Sequence, residues 1–305
     1  MNPGDNTVSA FAIDRRDPTN LTMLGTPANT LGEFPVAVAY SKKHGTACVV
    51  NSGGQANIAC FSVSKQGLEP ISNSIRDLGV NQTNPPTGPA NTVSDIIFNQ
   101  DESQLLVSVK GTPNGTVGFI ANFPVTSGSP FNLGSTPVKS TPENGVLPFS
   151  MTLVGDRGDT ILNTDAAFGV SVSNFDPDTG AIINSTSVAI QNQTATCWSS
   201  YSERTESFYV TDVGNNRVSQ FVVDSNGPTA QLAGVITLSG SGGRIDQNIA
   251  SLKDSDFLYV LDPKDGLVSV VKLVGFGAGE IQAFDAQAAV PDLPVSIQGM
   301  AVFVR

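Results

Sequence analysis

The residues able to do chemistry in this chain are few, and their types narrow the reactions at once. The single histidine, His44, sits in the turn Lys42-Lys43-His44-Gly45, between two predicted strands. One imidazole at that position argues against a Ser-His-Asp triad and against a His-based zinc site. The carboxylates say more. Asp165, Asp212 and Asp262 each follow a similar apolar run (Ile161-Leu162-Asn163-Thr164, Phe208-Tyr209-Val210-Thr211 and Leu258-Tyr259-Val260-Leu261) and so hold one equivalent position three times. Together with Asn or Glu they could hold a divalent cation through oxygen ligands alone; singly, each suits an Asx-type turn. Arg244 follows Gly242-Gly243 and precedes Asp246 by two residues, so its guanidinium fork could clamp a substrate carboxylate or simply pair with Asp246. Arg244 and Asp212 are therefore the expected catalytic residues. Glu33, Asn91, Glu143, Asp165, Trp198, Asp246 and Asp262 are the expected ligand-binding residues. Trp198 could stack on a sugar ring or pack between neighbouring sheets. No cofactor is demanded by these residues, and a divalent cation is the one they permit.

Cys48 and Cys60 are mirrored about Gly54, in a predicted hairpin whose loop is 53–55. Direct cross-strand neighbours fall within disulfide reach, so a bond is expected there, with Cys197 left as a buried thiol. The other reading is two reduced, buried cysteines, as in a reducing compartment. Glycosylation acceptor motifs stand at Asn20, Asn81, Asn114, Asn184 and Asn192. These motifs, the expected disulfide and a charged content of only 14% favour an extracellular protein whose signal peptide lies outside this sequence.

What must position these groups is a repeat. Apolar runs at 35–41, 92–98, 148–154, 195–201 and 248–252 are each followed by a turn and one of the short runs around 48–51, 105–108, 161–164, 208–211 and 258–261. A third strand follows at 57–64, 116–123, 169–175, 217–224 and 267–274, and a looser fourth at 68–78, 131–139, 181–190, 230–239 and 280–286. The unit of four strands recurs about every 50 residues, the spacing of propeller blades. No 3.6-residue pattern leaves room for helices. The N-terminus opens on a third strand, 7–14, and a fourth, 20–27; the C-terminus ends on a first strand, 295–303. The expected fold is thus an all-β, six-bladed β-propeller spanning 1–305 as one domain, with four-stranded antiparallel blades and the two chain ends sharing one blade. The second strand of that shared blade is nearly absent, which suggests a few residues ahead of Met1.

Tyr209-Val210-Thr211-Asp212-Val213-Gly214-Asn215-Asn216-Arg217-Val218-Ser219 resembles the repeat of the lactonase-like, or YVTN-type, β-propellers, and Asn2-Pro3-Gly4-Asp5-Asn6-Thr7-Val8-Ser9 is similar to its second half. The resemblance covers the whole chain as a repeat and leans toward the secreted fungal lactonase and carboxymuconate-cyclase-like members. It implies the propeller fold and a lactonase, cyclase or lyase-like chemistry, here without a catalytic His. Alternating strand direction places second-to-third turns and blade-to-blade connections on one face. The longer connections, 79–91, 140–147 and 240–246, share it, so a ligand site belongs there. That face also carries Asn51, Lys110, Asn144 and Lys264.

A net charge of −11 argues against a nucleic-acid partner, and no apolar run reaches the ~20 residues of a membrane span. Three functions remain, of which a protein-interaction scaffold is hinted at only by Ala289-Val290-Pro291-Asp292-Leu293-Pro294, and the other two carry the weight. One is an enzyme acting on a small acid, lactone or uronic-type sugar; the other is a secreted or cell-surface propeller that binds a small molecule or carbohydrate without turnover. A monomer is expected in either case.

Overall fold

A computed structural model of the chain describes residues 1–112, 115–126, 131–224, 227–274, 277–294 and 296–304. It divides into two compact units, Met1–Pro148 with Phe175–Ile183, and Phe149–Asn174 with Asn184–Arg305.

The first unit opens with a two-stranded sheet, β1 (Thr7–Ile13) and β2 (Leu21–Asn29). Next come β3 (Pro35–Ser41), β4 (Thr46–Asn51), β5 (Asn57–Ser64) and β6 (Gly67–Pro70) in sequential order, with β7 (Arg76–Asp77) also on β5. The third sheet is β8 (Val93–Phe98), β9 (Gln104–Val109) and β10 (Phe119–Thr126), with β11 (Asn132–Leu133) and β12 (Val138–Ser140) both on β10. The expected fourth strands 68–78 and 131–139 are thus each broken in two.

The second unit carries most of the sheet β13 (Pro148–Val154), β14 (Arg157–Asp165), β15 (Gly169–Phe175) and β16 (Ile182–Ala189). It also holds β17 (Thr196–Ser202), β18 (Ser207–Asp212), β19 (Arg217–Val223) and β20 (Ala230–Thr237), then β21 (Asp246–Leu252), β22 (Ser255–Asp262), β23 (Leu267–Leu273) and β24 (Gly279–Asp285). Every sheet is antiparallel and built from consecutive hairpins, the construction of propeller blades.

Second strands form the interior. In β4, β9 and β18 every residue is buried, since each is flanked by strands on both edges and covered on both faces. The first unit packs Val50, Ile58, Leu105, Val107, Phe123 and their neighbours into one core; the second packs Leu162, Val172, Phe208 and Phe221 in one cluster and Tyr209, Leu258, Val260 and Val271 in another. The first-to-second pairing shifts register at Pro35/Ala37, Val93/Asp95 and Thr196/Ser199, a recurring irregularity that re-aims the start of each first strand.

Three expectations are corrected. Among the described residues five sheets have four or more strands and a sixth has two, so six complete blades are not formed. The expected strand 295–303 is not one: 296–304 joins no ladder and instead lies along β21, where Asn248 Nδ2 donates to the Met300 carbonyl at 3.4 Å. A short helix, α1 (Ala286–Ala289), also appears where none was expected. Its Ala-rich sequence propagates from Asp285, whose carboxylate caps the Ala288 N–H at 2.7 Å.

Cys48 and Cys60 are direct cross-strand partners and form the expected disulfide, fully buried, while Cys197 is a buried thiol outside any disulfide, as expected, its Sγ donating to the Ile245 carbonyl at 3.2 Å.

Candidate functional site

Two sheet-to-sheet connections, one in each unit, carry Asn91 (79–91) and Arg244 with Asp246 (240–246). In the first unit the turn between β4 and β5 meets the chain leaving β7. Together they wall a cavity of about 530 Å3 lined by Gly54, Gln55, Ala56, Asn57, Ile75, Asp77, Gly79, Val80 and Asn81. Its floor is firm. Asn57 is buried, accepts from Asn51 Nδ2 at 2.8 Å and donates to the Leu31 carbonyl at 2.8 Å. Gly32 makes that pair possible, because a Cβ there would lie 2.5 Å from Asn57 Oδ1. The rim is polar: Asp77 Oδ1 accepts the Gly79 N–H at 2.8 Å, and Ile75 adds a half-exposed apolar surface.

Glu33 and Asn91, both nominated from sequence, do not line this cavity but contact residues that do. The Glu33 carbonyl accepts the Gly53 N–H at 2.7 Å, and Glu33 Oε2 lies 3.0 Å from where a Cβ on Gly54 would stand. Asn91 donates from Nδ2 to the Asn81 carbonyl at 2.7 Å, and Gln82 Nε2 donates to the carbonyls of Ala90 and Asn91 at 2.9 and 3.0 Å. The 79–91 connection is therefore held by its own amides. Glu143 is exposed in the connection 140–147. Lys110 is buried, donating to Ser94 Oγ and, at 3.3 Å, to Thr92 Oγ1.

The second unit gathers Arg244, Asp246 and Asp262 differently. Gly240, Gly242 and Gly243 all have positive φ (95°, 105° and 113°), a backbone that folds the connection back on itself. Arg244 is consequently fully buried; Nη1 pairs with Asp262 Oδ2 and Nη2 donates to the Ser239 carbonyl. Asp262 Oδ1 accepts the Asp265 N–H at 3.1 Å. Burial pushes the Asp262 carboxyl up from the ordinary range, against the pull of the Asp265 N–H and Arg244. Asp265 is held low by the N–H and hydroxyl of Ser241. The expected partner of Arg244, Asp246, is not the one it uses. Asp246 Oδ1 accepts the Gln247 N–H at 2.7 Å, and burial pushes its carboxyl up to about 6, against the pull of nearby backbone N–H groups.

Asp212 is saturated. Its carboxylate accepts the N–H groups of Thr194 (3.0 Å), Ala195 (3.1 Å) and Gly214 (3.1 Å) as well as Asn215 Nδ2, and Arg217 stands 3.9 Å away. Asp165 is buried and accepts the Ala167 N–H at 2.9 Å. Asp165, Asp212 and Asp262 thus each brace their own turn. Among the described residues no three His, Cys, Asp or Glu side chains converge to hold a metal ion. Trp198 is half-buried, edge-on to Phe149 with ring centroids 5.2 Å apart, and its carbonyl accepts Gln247 Nε2. His44 lies in the β3–β4 turn, edge-on to Phe131. Of the acceptor motifs, Asn20, Asn81, Asn184 and Asn192 are exposed, and Asn114 lies outside the described residues.

Gln55, Ile75 and Asp77 were not anticipated from sequence. Their signal was the 79–91 connection alone, since a two-residue strand such as β7 leaves no periodic trace.

No family model matches the chain, and no curated protein matches it. Solved structures do. A Bacteroides uniformis protein provisionally named 6-phosphogluconolactonase superposes with a TM-score of 0.73 at 15% identity, covering 98% of this chain and 82% of its own. A Bacteroides fragilis protein with the same provisional name gives 0.68 at 17%, covering 95% and 79%. The periplasmic gluconolactonase of Pseudomonas aeruginosa gives 0.51 at 14%, covering 93% and 94%. At these identities the likeness establishes the fold alone, an all-β β-propeller with four-stranded antiparallel blades.

Proposed function

We propose that this protein is a secreted, monomeric, lactonase-like propeller that binds a neutral polyhydroxy ligand of the carbohydrate class and does not turn it over. The observation that carries this reading is the 530 Å3 cavity of the first unit. Its amides and the Asp77 carboxylate are hydroxyl-recognising groups, Ile75 offers an apolar patch for a sugar face, and Asp77 disfavours an anionic ligand. The lactonase names of the structural neighbours point to sugar-derived small molecules.

The test is calorimetry and thermal shift against neutral hexoses and disaccharides, gluconolactone, uronic acids and calcium, with product analysis of any hit. A saturable rise in Tm with a neutral sugar, absent in Asp77→Ala and unaccompanied by product, is expected. No response to any neutral sugar, or a response unchanged in Asp77→Ala, rejects the reading.

The enzymatic alternative, with Arg244 and Asp212 acting on a lactone or uronic sugar and a divalent cation assisting, draws its support from the neighbours' names. It needs the 240–246 connection to open and release Arg244 from Asp262. Secretion and glycosylation are supported by the buried disulfide and by the exposure of the four described acceptor asparagines.

A further inference from the structure

The second unit holds a cavity whose chemistry is the reverse of the first. Its volume is about 380 Å3; Ala250 and Leu252 of β21, Tyr259 of β22 and Val268 of β23 form one wall, and residues 300–304 of the C-terminal segment form the other. Strand alternation puts Asn248, Ala250 and Leu252 on one face of β21, with Tyr259 opposite Asn248 in the ladder. Strand β22 is paired on both edges, so its backbone groups are spent and side chains set the character of the wall. None of the nine lining residues is charged and eight are apolar. The ninth, half-buried Tyr259, brings a hydroxyl with no hydrogen-bond partner among the described residues. The segment meets the sheet through Asn248 Nδ2, which donates to the Met300 carbonyl at 3.4 Å. Leu252, Phe303 and Val304 remain 40%, 44% and 41% exposed, apolar surface that an occupant would take out of water.

These walls select their occupant. The volume falls in the range of small-molecule pockets and short of what a protein helix about 10 Å across would fill. An ion placed here would lose its hydration without gaining a charged partner. A polyhydroxy ligand would find one hydroxyl to bond and leave its others unpaired. We propose that this cavity binds a neutral alkyl-chain molecule carrying a single polar oxygen, such as a fatty alcohol. Its chain lies between the β21–β23 wall and segment 296–304, and its oxygen meets the Tyr259 hydroxyl. The site belongs to the second unit, so it stands or falls apart from the sugar cavity.

The test is a fluorescence titration of the full chain with the neutral apolar dye phenylnaphthylamine, followed by competition with decanol, decanoate and glucose. A saturable signal, displaced by decanol and far less by decanoate or glucose, is expected. Val268→Trp fills the cavity and removes the signal. Tyr259→Phe keeps the apolar wall and weakens decanol about threefold to tenfold, the worth of one hydrogen bond. A signal that does not saturate, displacement by decanoate as readily as by decanol, or affinities unchanged in either variant overturns the proposal. Should Val268→Trp not fold, the methyl groups of the four methionines are followed by NMR as decanol is added to the wild type. A shift confined to Met300 supports the site. A titration that leaves Met300 unmoved, including one that shifts Met23 on the exposed face of β2, refutes it.

Discussion

The connections at 79–91 and 240–246 do the same topological work, each carrying the chain from the last strand of one sheet to the first of the next, yet they end in opposite states. The first is propped by neutral amides: Gln82 and Asn91 satisfy the loop's own carbonyls, so Gln55, Asp77 and Asn81 keep edges turned to a cavity. The second is closed by charge. Arg244 and Asp262 neutralise each other, Asp265 ties down Ser241, and three glycines let the backbone wrap the pair completely. Charge that braces a loop is charge withdrawn from ligands. Arg244, Asp262 and Asp212, the residues that look most chemical in the sequence, are engaged in this fold by partners within the second unit.

The sharpest way to break this contrast is Arg244→Met. Asp262 would be left buried and unpaired, and a loss of about 3–5 kcal/mol in urea denaturation is expected, with Arg244→Lys recovering little of it because a lysine cannot span two acceptors. A loss below about 1 kcal/mol would mean the pair is held loosely and the connection is open. Asn91→Ala comes next. It removes one hydrogen bond pinning 79–91, and about 1 kcal/mol of stability should go with it; the clearer effect is weaker sugar binding in calorimetry as the cavity rim relaxes. Glu33→Gln is the mildest. It should change stability by less than about 0.5 kcal/mol while letting the cavity accept uronic acids alongside neutral sugars, read from the same binding panel. Unchanged preference would place Glu33 outside the ligand's reach.

The strands were legible because their signal is periodic and repeated. The run at 35–41 and its successors alternate or stay apolar over a strand's length, and the mirrored cysteines carried register as well as pairing. What was not legible was how a loop closes. Gly242-Gly243 reads as a flexible approach to an exposed arginine; in the fold the same glycines adopt positive φ and bury it, since a Cβ on Gly243 would stand 2.6 Å from Asp262 Oδ1. Asp212 was weighed as a turn residue, and its four donors fit that role. The strand expected at 295–303 had the right pattern, but pattern alone does not supply a hydrogen-bonding neighbour, and 296–304 is met by the Asn248 side chain instead. The cavity residues escaped notice because a short strand and a turn contribute them one at a time.

Asn81 lies on the cavity rim and also heads the triplet Asn81-Gln82-Thr83. An oligosaccharide attached at that amide would stand in the doorway and compete with any free sugar for the same space. Were Asn81 glycosylated, the expression host would decide what binding studies measure: protein from a bacterium would present the doorway bare, and protein exported from a eukaryotic cell would carry its own cork.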